Sequence, residues 1–307
     1  MDDVNESAEH EAAIPAGDTP EVSLAQDPLA ETLTPQATDA EAHAEEVVEP
    51  APAPEPAKPA KAPAKGDSWL ETVKTVVYAL LIAVVIRTFF FQPFNIPSAS
   101  MQATLAIGDY LFVEKFAYGY SKHSFPFSFM PFSGRIFGSA PQRGDVVVFK
   151  MPNESSPDYM KDYIKRVIGL PGDRIQVLDS RLYLNGKIVP RTQVEDYIET
   201  VDGVVNHVAQ FRETLPGGRS YLTLDRDRYG PLDNTGVYVV PAGHYFMMGD
   251  NRDNSDDSRE NVGYVPAEDL VGKAEFRFFS IDVGNDWWAF WKWPMEIRYS
   301  RMFTGIQ

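Results

Sequence analysis

Hydrophobic and polar positions follow three successive patterns along the 307-residue chain. Residues 1–65 show no periodicity; they are rich in Ala, Pro and Glu, and "PAPAPEPAKPAKAP" interrupts any helix. Such a segment buries too little apolar surface to offset its ordering entropy, which predicts a disordered tail over 1–67. The second pattern is one apolar block, "DSWLETVKTVVYALLIAVVIRTFFFQPF". Its uninterrupted run, Val76–Ile86, has 11 residues, and with its flanks, Trp69 to Phe91, it reaches 23; a spanning helix needs about 20. Glu71, Lys74 and Arg87 fall near the ends, where long side chains snorkel, and Trp69 with Phe89–Phe91 resembles an interfacial belt. This predicts one transmembrane helix over 68–91, with a buried core helix as the alternative.

The third pattern has a period of two. "YLFVEKFAY", "DVVVFKMP", "RIQVLDSRLYLNGKIVP", "GVYVVPAGHYFMMGD" and "LVGKAEFRFFSI" alternate or run apolar, which predicts a mostly β domain. Asn-Gly in "LNGK" accepts the positive φ of a type I′ hairpin turn. Two segments read as inserted loops. Gly119–Gln142 holds Phe125, Phe127, Phe129, Met130, Phe132 and Phe137, an apolar set of the kind that marks an interface. Val194–Asp233 is polar and rich in turn residues. Near the C-terminus "DWWAFWKWP" adds four tryptophans. Aromatics this dense beside an anchor point to a domain resting on lipid, with ordinary core packing as the alternative.

Charge sharpens the division. Of the net −16, residues 1–65 contribute 15 Asp and Glu against 3 Lys, or −12, and the remainder 29 against 25, or −4. The acidity belongs to the tail, and no basic nucleic-acid footprint is present. Lys58, Lys61, Lys65 and Lys74 outweigh Arg87 across the apolar block, which favours a cytoplasmic N-terminus and an exported β domain. The chain has no Cys and 5 His, which leaves no thiolate chemistry and no histidine metal motif. The Asp-rich "MMGDNRDNSDDSRENVGYVP" fails as a calcium loop in both registers, since Ser255 or Ser258 stands where Gly is needed and Asn261 or Tyr264 where Glu is needed. Its Asp, Asn and Ser side chains instead suit a rigid, internally braced loop. No metal or cofactor is expected.

The candidate chemistry lies in "FNIPSASMQATLAIGDYLFVEK", where Ser98 and Ser100 follow directly on the anchor. A serine hydroxyl needs a base. Without a suitable His, that base is a lysine kept neutral by burial. Lys150 and Lys165 both sit in apolar strands; alternation groups Lys165 with Tyr163 and Val167, and leaves Ile164, Arg166 and Ile168 opposite. A lone strand lysine usually faces solvent, and spacing does not choose between the two.

Together "IPSASM…TLAIGDYLFVEKFAYG", "RGDVVVFK", "DYIKRVIGLPGD" and "GDNRDNSDDSR…GYVP…LVGKA" resemble bacterial signal peptidase I, in that family's order, over most of residues 86–190 and 240–302. The resemblance implies an antiparallel β catalytic domain (92–175 and 243–307) with an inserted smaller β subdomain (176–242). It implies Ser100 as nucleophile and Lys165 as its general base. It also implies Ser98 as oxyanion partner, Ser255 as the hydroxyl orienting the lysine, and Asp257, Arg259 and Arg166 as support. Phe94, Ile96, Pro97, Met101, Leu105, Leu111, Val148, Tyr163 and Ile164 match the small-residue pockets. Ala99, where many relatives have Gly, and "SRENVGYVP" depart from the pattern and bear on pocket shape. The implied activity is removal of signal peptides after Ala-x-Ala-type sequences at the bacterial inner membrane. The implied partners are preproteins, the bilayer and the export machinery, with the catalytic domain periplasmic. Two other readings compete: a non-catalytic anchored β scaffold, and a self-cleaving repressor. The second would carry a DNA-binding domain where this chain has a tail and an anchor.

Overall fold

The computed structural model describes residues 68–125, 131–201, 203–282, 291 and 293–306. The tail, Phe127, Phe129, Met130 and two of the four C-terminal tryptophans lie outside them. The apolar block forms helix α1, Ser68–Phe89. Its segment Trp69–Phe89 holds an 18-residue stretch with a mean hydropathy of 1.9 and no residue buried against the protein, so by length and composition it can cross a membrane.

The chain passes from α1 to strand β1, Phe91–Asn95, with one residue between. The joint is held on both sides: Lys115 N–H donates to Phe90 O (2.9 Å), and Tyr120 O–H donates to Phe89 O (2.8 Å). There follow β2 (Asp109–Glu114), β3 (Val146–Lys150), β4 (Asp162–Gly169), β5 (Arg174–Leu178), β6 (Arg181–Leu184) and β7 (Lys187–Ile188). Then come β8 (Arg191–Gln193), β9 (Tyr197–Val201), β10 (Val204–Thr214), β11 (Ser220–Asp225) and β12 (Tyr238–Val239). The last are β13 (His244–Met248), β14 (Val265–Pro266), β15 (Leu270–Ser280) and β16 (Thr304–Gly305). The expected β architecture is present, and every strand pairing within the sheets is antiparallel.

One large sheet runs β1-β2-β15-β3-β4-β13-β14, with β16 on β15, and two four-stranded sheets group β11-β10-β8 with β9, and β12-β5-β6-β7. The polar segment expected as a loop over Val194–Asp233 is thus mostly sheet: β9, β10 and β11 occupy it. Its polarity misleads because these strands have exposed faces, where side chains such as Thr200 and Arg212 are tolerated without breaking the ladder. The Asn-Gly turn forms as expected, with Asn185 at φ 52° and Gly186 at φ 77°.

Strand β3 shows why "VVVF" does not alternate. Val146 and Val148 enter one core, with Ile96, Met101, Leu105, Leu111 and Val271. Val147 and Phe149 enter another, on the opposite face, with Val167, Met247 and Leu270. A central strand buried on both faces loses its polar positions. On β2 Leu111 and Val113 point into the first of these cores, on the same buried face as Asp109. The outward Tyr110 and Phe112 join Phe91, Phe116, Phe276 and Phe278 in a run of ring contacts, half-exposed on the outside of the sheet.

Candidate active site

Ser100 lies on a single 3-10 turn, Ala99–Met101, which Ser98 opens with extended backbone (φ −127°, ψ 157°). The turn is fixed from outside. Asn251 N–H donates to Ser100 O, and Asn251 Nδ2 donates to Ala99 O, each at 3.0 Å. Met101 and Leu105 anchor it from beneath, both fully buried.

Lys165 comes from β4, where pairing with β3 sets Val147 opposite it. The register directs its side chain inward, and the residue is 4 % exposed. Its Nζ lies 2.9 Å from Ser100 Oγ and 3.1 Å from Ile164 O, with the Tyr163 ring centroid 5.2 Å away. Burial lowers the Lys165 ammonium to about 8, against the opposing pull of Asp257, Asp256 and Asp250. Lys150 is elsewhere: its Nζ pairs with Asp162 at 2.8 Å, partly exposed. Ser98 Oγ lies 3.4 Å from Ser100 Oγ and faces solvent.

Ser255 departs from expectation. It is buried, but its Oγ has no hydrogen-bond partner among the described residues, so the expected bond to Lys165 is absent. What packs against Ser255 is Gly249. A Cβ at Gly249 would come within 2.1 Å of Ser255 Oγ and 2.6 Å of Ser100 O. Gly249 is therefore a spacer between the two serines. Its N–H donates to Asp257 Oδ2 at 3.0 Å.

The loop behind the site is internally braced. Arg259 Nε and Nη2 grip Asp257 at 2.9 and 2.8 Å. Burial alone would push the Asp257 carboxyl up, but Arg259 and two backbone N–H groups hold it below the usual carboxylate range. Arg166, fully buried, does not face the hydroxyls. It grips Asp250 through Nε (2.8 Å) and Nη2 (2.7 Å), and reaches Gly144 O (2.8 Å).

A cleft of about 350 Å³ opens beside Ser100. Of the candidate pocket residues, Phe94, Ile96, Pro97, Val148, Tyr163 and Ile164 line it. Met101, Leu105 and Leu111 do not; all three are fully buried in the core behind Ile96 and Val148, because they point to the inner side of the sheet. The structure adds Asn95, Asp162, Asn254 and Asp256 to the lining. Asp256 and Asn254 were part of the Asp-rich stretch, but nothing in the sequence marks which of its side chains turn toward the cleft.

A hydroxyl beside a buried, weakly basic amine, at the end of an apolar cleft, has the parts of a hydrolase that acts on extended peptide. Residues 69–279 match the family described as Signal peptidase, peptidase S26. Signal peptidase I of Rickettsia typhi is 43 % identical over 262 residues, covering 77 % of this chain and 95 % of its own. That of Rickettsia conorii is 46 % identical over 251 residues, covering 75 % and 90 %. A solved signal peptidase I from Enterococcus faecalis is 27 % identical, covers 44 % of this chain and 97 % of its own, has a TM-score of 0.26, and adds nothing to the assignment. The chain belongs to the S26 signal peptidase family, and it is a peptidase.

Proposed function

We propose that the protein is a membrane-anchored serine endopeptidase that removes signal peptides from exported preproteins by a Ser100–Lys165 dyad. The observation that carries this reading is the 2.9 Å contact between Ser100 Oγ and a lysine amine that burial brings down to about 8. In its neutral form Lys165 takes the Ser100 proton as the oxygen attacks the scissile carbonyl. The resulting lysinium then protonates the leaving amine. The Ser98 hydroxyl and the Ser100 backbone N–H receive the negative charge on the carbonyl oxygen. Deacylation by water repeats the proton relay.

The cleft suits an extended substrate with small side chains. Strand β13 pairs with β4 only as far as Arg166, so Asp162–Lys165 offer an open edge there. Among the described residues, strand β1 pairs only with β2. Both edges can add a peptide strand, and alternate side chains then enter the apolar lining. Helix α1 is read as the anchor, with the N-terminus cytoplasmic and residues 92–307 periplasmic. The aromatic outer face of β1, β2 and β15, with Trp291 and Trp293 half-exposed, would meet the lipid. Residues 176–242 are read as a subdomain inserted in the catalytic domain, and the export machinery as a partner.

Cleavage of a preprotein in detergent tests this directly. Ser100→Ala and Lys165→Ala each abolish processing, and Ser98→Ala slows it by about 10²–10³-fold with the fold intact. Near-normal rates in the first two variants would exclude the dyad and leave the non-catalytic scaffold.

A further inference from the structure

A second cavity, of about 770 Å³, lies between the two small sheets, and the activity described above does not use it. Four arginines and a histidine line it (Arg181, Arg191, Arg226, Arg228 and His207), against two acids, Asp179 and Asp225. Two of the arginines are already neutralised. Arg191 pairs with Asp225 at 3.0 Å, and Arg226 pairs with Glu199 at 2.6 Å. Arg181 and Arg228 make no ion pair or hydrogen bond with any described residue, and the Arg181 Nε is buried without an acceptor. Ser180, 7 % exposed, also lines the cavity, and its Oγ is likewise without a partner.

The backbone at this rim is unusual too. Asp179 and Ser180 form the two-residue turn between β5 and β6, with φ at 48° and 58°. That conformation favours Gly or Asn. Left-handed backbone in non-glycine residues concentrates where a site needs particular side chains. Buried donors without acceptors cost stability until something supplies them. A carboxylate or phosphate supplies several acceptor positions and suits a guanidinium fork.

Position narrows the choice of anion. Arg226 is shared between the cavity and the catalytic turn: its Nη2 donates to Gln102 Oε1 at 3.0 Å, two residues from Ser100. Gln102 Nε2 in turn contacts Glu199 and the Tyr197 hydroxyl of β9. Gln102 is not part of the cleft lining, so this contact leaves Ser100 in another direction from the cleft. On the catalytic reading above, the cleft holds the residues before the cleaved bond, and the chain after it must leave the cleft.

We propose that the cavity between the small sheets binds a carboxylate side chain of the preprotein, located within the first residues after the cleaved bond, through Arg181, Arg228 and Ser180. Roughly eight extended residues reach about 27 Å, which sets the window to test.

The experiment uses the full-length protein in detergent and two preproteins that differ only in that window, one with two Asp, the other with two Asn. The acidic preprotein is expected to have about tenfold higher kcat/KM, chiefly through KM, and to lose the advantage at high salt. The Arg181→Gln, Arg228→Gln double variant should cleave the Asn preprotein at the wild-type rate and show no preference between the two. The Arg181→Lys, Arg228→Lys double variant, which keeps the charge, should retain part of the preference. Equal rates for both preproteins in the wild type, or a preference that survives in the double variant, would overturn the proposal. So would a dependence on Arg181 and Arg228 that appears only when anionic phospholipid vesicles replace detergent, since the ligand would then be a lipid phosphate. Cleavage of the Asn preprotein by both enzymes keeps a failure of this inference separate from a failure of the dyad.

Discussion

As the proposed base, Lys165 carries two opposed demands in one side chain. Its amine must be neutral to act as base, and the burial that makes it so weakens the fold. In the folded protein it titrates near 8, below the ordinary 10.5 of an unfolded lysine. Between those values the unfolded chain binds the extra proton, so stability rises with pH across that window; below it the burial penalty is fully present. The difference corresponds to about 3 kcal/mol at neutral pH. Lys165→Met should therefore raise the midpoint of chemical unfolding at neutral pH while abolishing cleavage; a lower midpoint would contradict the assigned penalty. In the wild type, kcat/KM should climb about tenfold per pH unit up to roughly 8 and then level. A flat profile through that range would mean that another group is the base. Gly249 makes a steric prediction at the same scale. Gly249→Ala places a methyl group 2.6 Å from Ser100 O and 2.1 Å from Ser255 Oγ, so cleavage should collapse even though the chemical groups all remain. Activity near wild type would show that the loop yields.

The Asp-rich loop works as an element because Asp250, Arg252, Asp257 and Arg259 are ion-paired before it meets the site. Arg259 braces Asp257 within the loop, and Arg252 reaches out to Glu213 and the Tyr221 hydroxyl on β10 and β11. Asp250 takes both forks of Arg166 and the Thr104 hydroxyl. That rigidity lets Asn251 hold the turn of Ser100 by its carbonyls. Asp250→Asn removes the counter-charge of a fully buried guanidinium and should cost about 3–5 kcal/mol, read as a shift in unfolding midpoint. Asn251→Ala should act differently, lowering kcat with a shift in midpoint of about 1 kcal/mol or less. Equal effects of the two on stability would mean that Asn251 is structural only.

At the scale of the whole molecule, the joint between α1 and β1 leaves one residue, Phe90, between helix and sheet. A helix so closely coupled sets the sheet's aromatic outer face beside its own base, where Phe90 and Phe91 contact Phe116. Removing the helix leaves that face to water without touching Ser100 or Lys165. A fragment beginning at residue 90 should still cleave a short soluble peptide, but should self-associate without detergent, as measured by light scattering. A monodisperse fragment in plain buffer would argue against a lipid-facing role for these rings.

The sequence alone determined what local pattern can carry: the apolar helix, most strands of the large sheet, the Asn-Gly turn, and the lack of any thiol. It also supplied motifs whose order resembles one family. It misjudged β9 to β11, because exposed strands tolerate the polar residues that loops also favour. It placed Met101, Leu105 and Leu111 in the cleft, where the sheet turns them into the core. Spacing left Lys150 and Lys165 equivalent, since both follow apolar residues on strands. Only the tertiary structure separates them by environment. The pairing of β3 and β4 leaves Lys150 beside Asp162 at the partly exposed end, and carries Lys165 inward to Ser100, 65 positions away in the chain. A lysine's basicity depends on what surrounds it on all sides, and those neighbours come from segments that meet only when the chain folds.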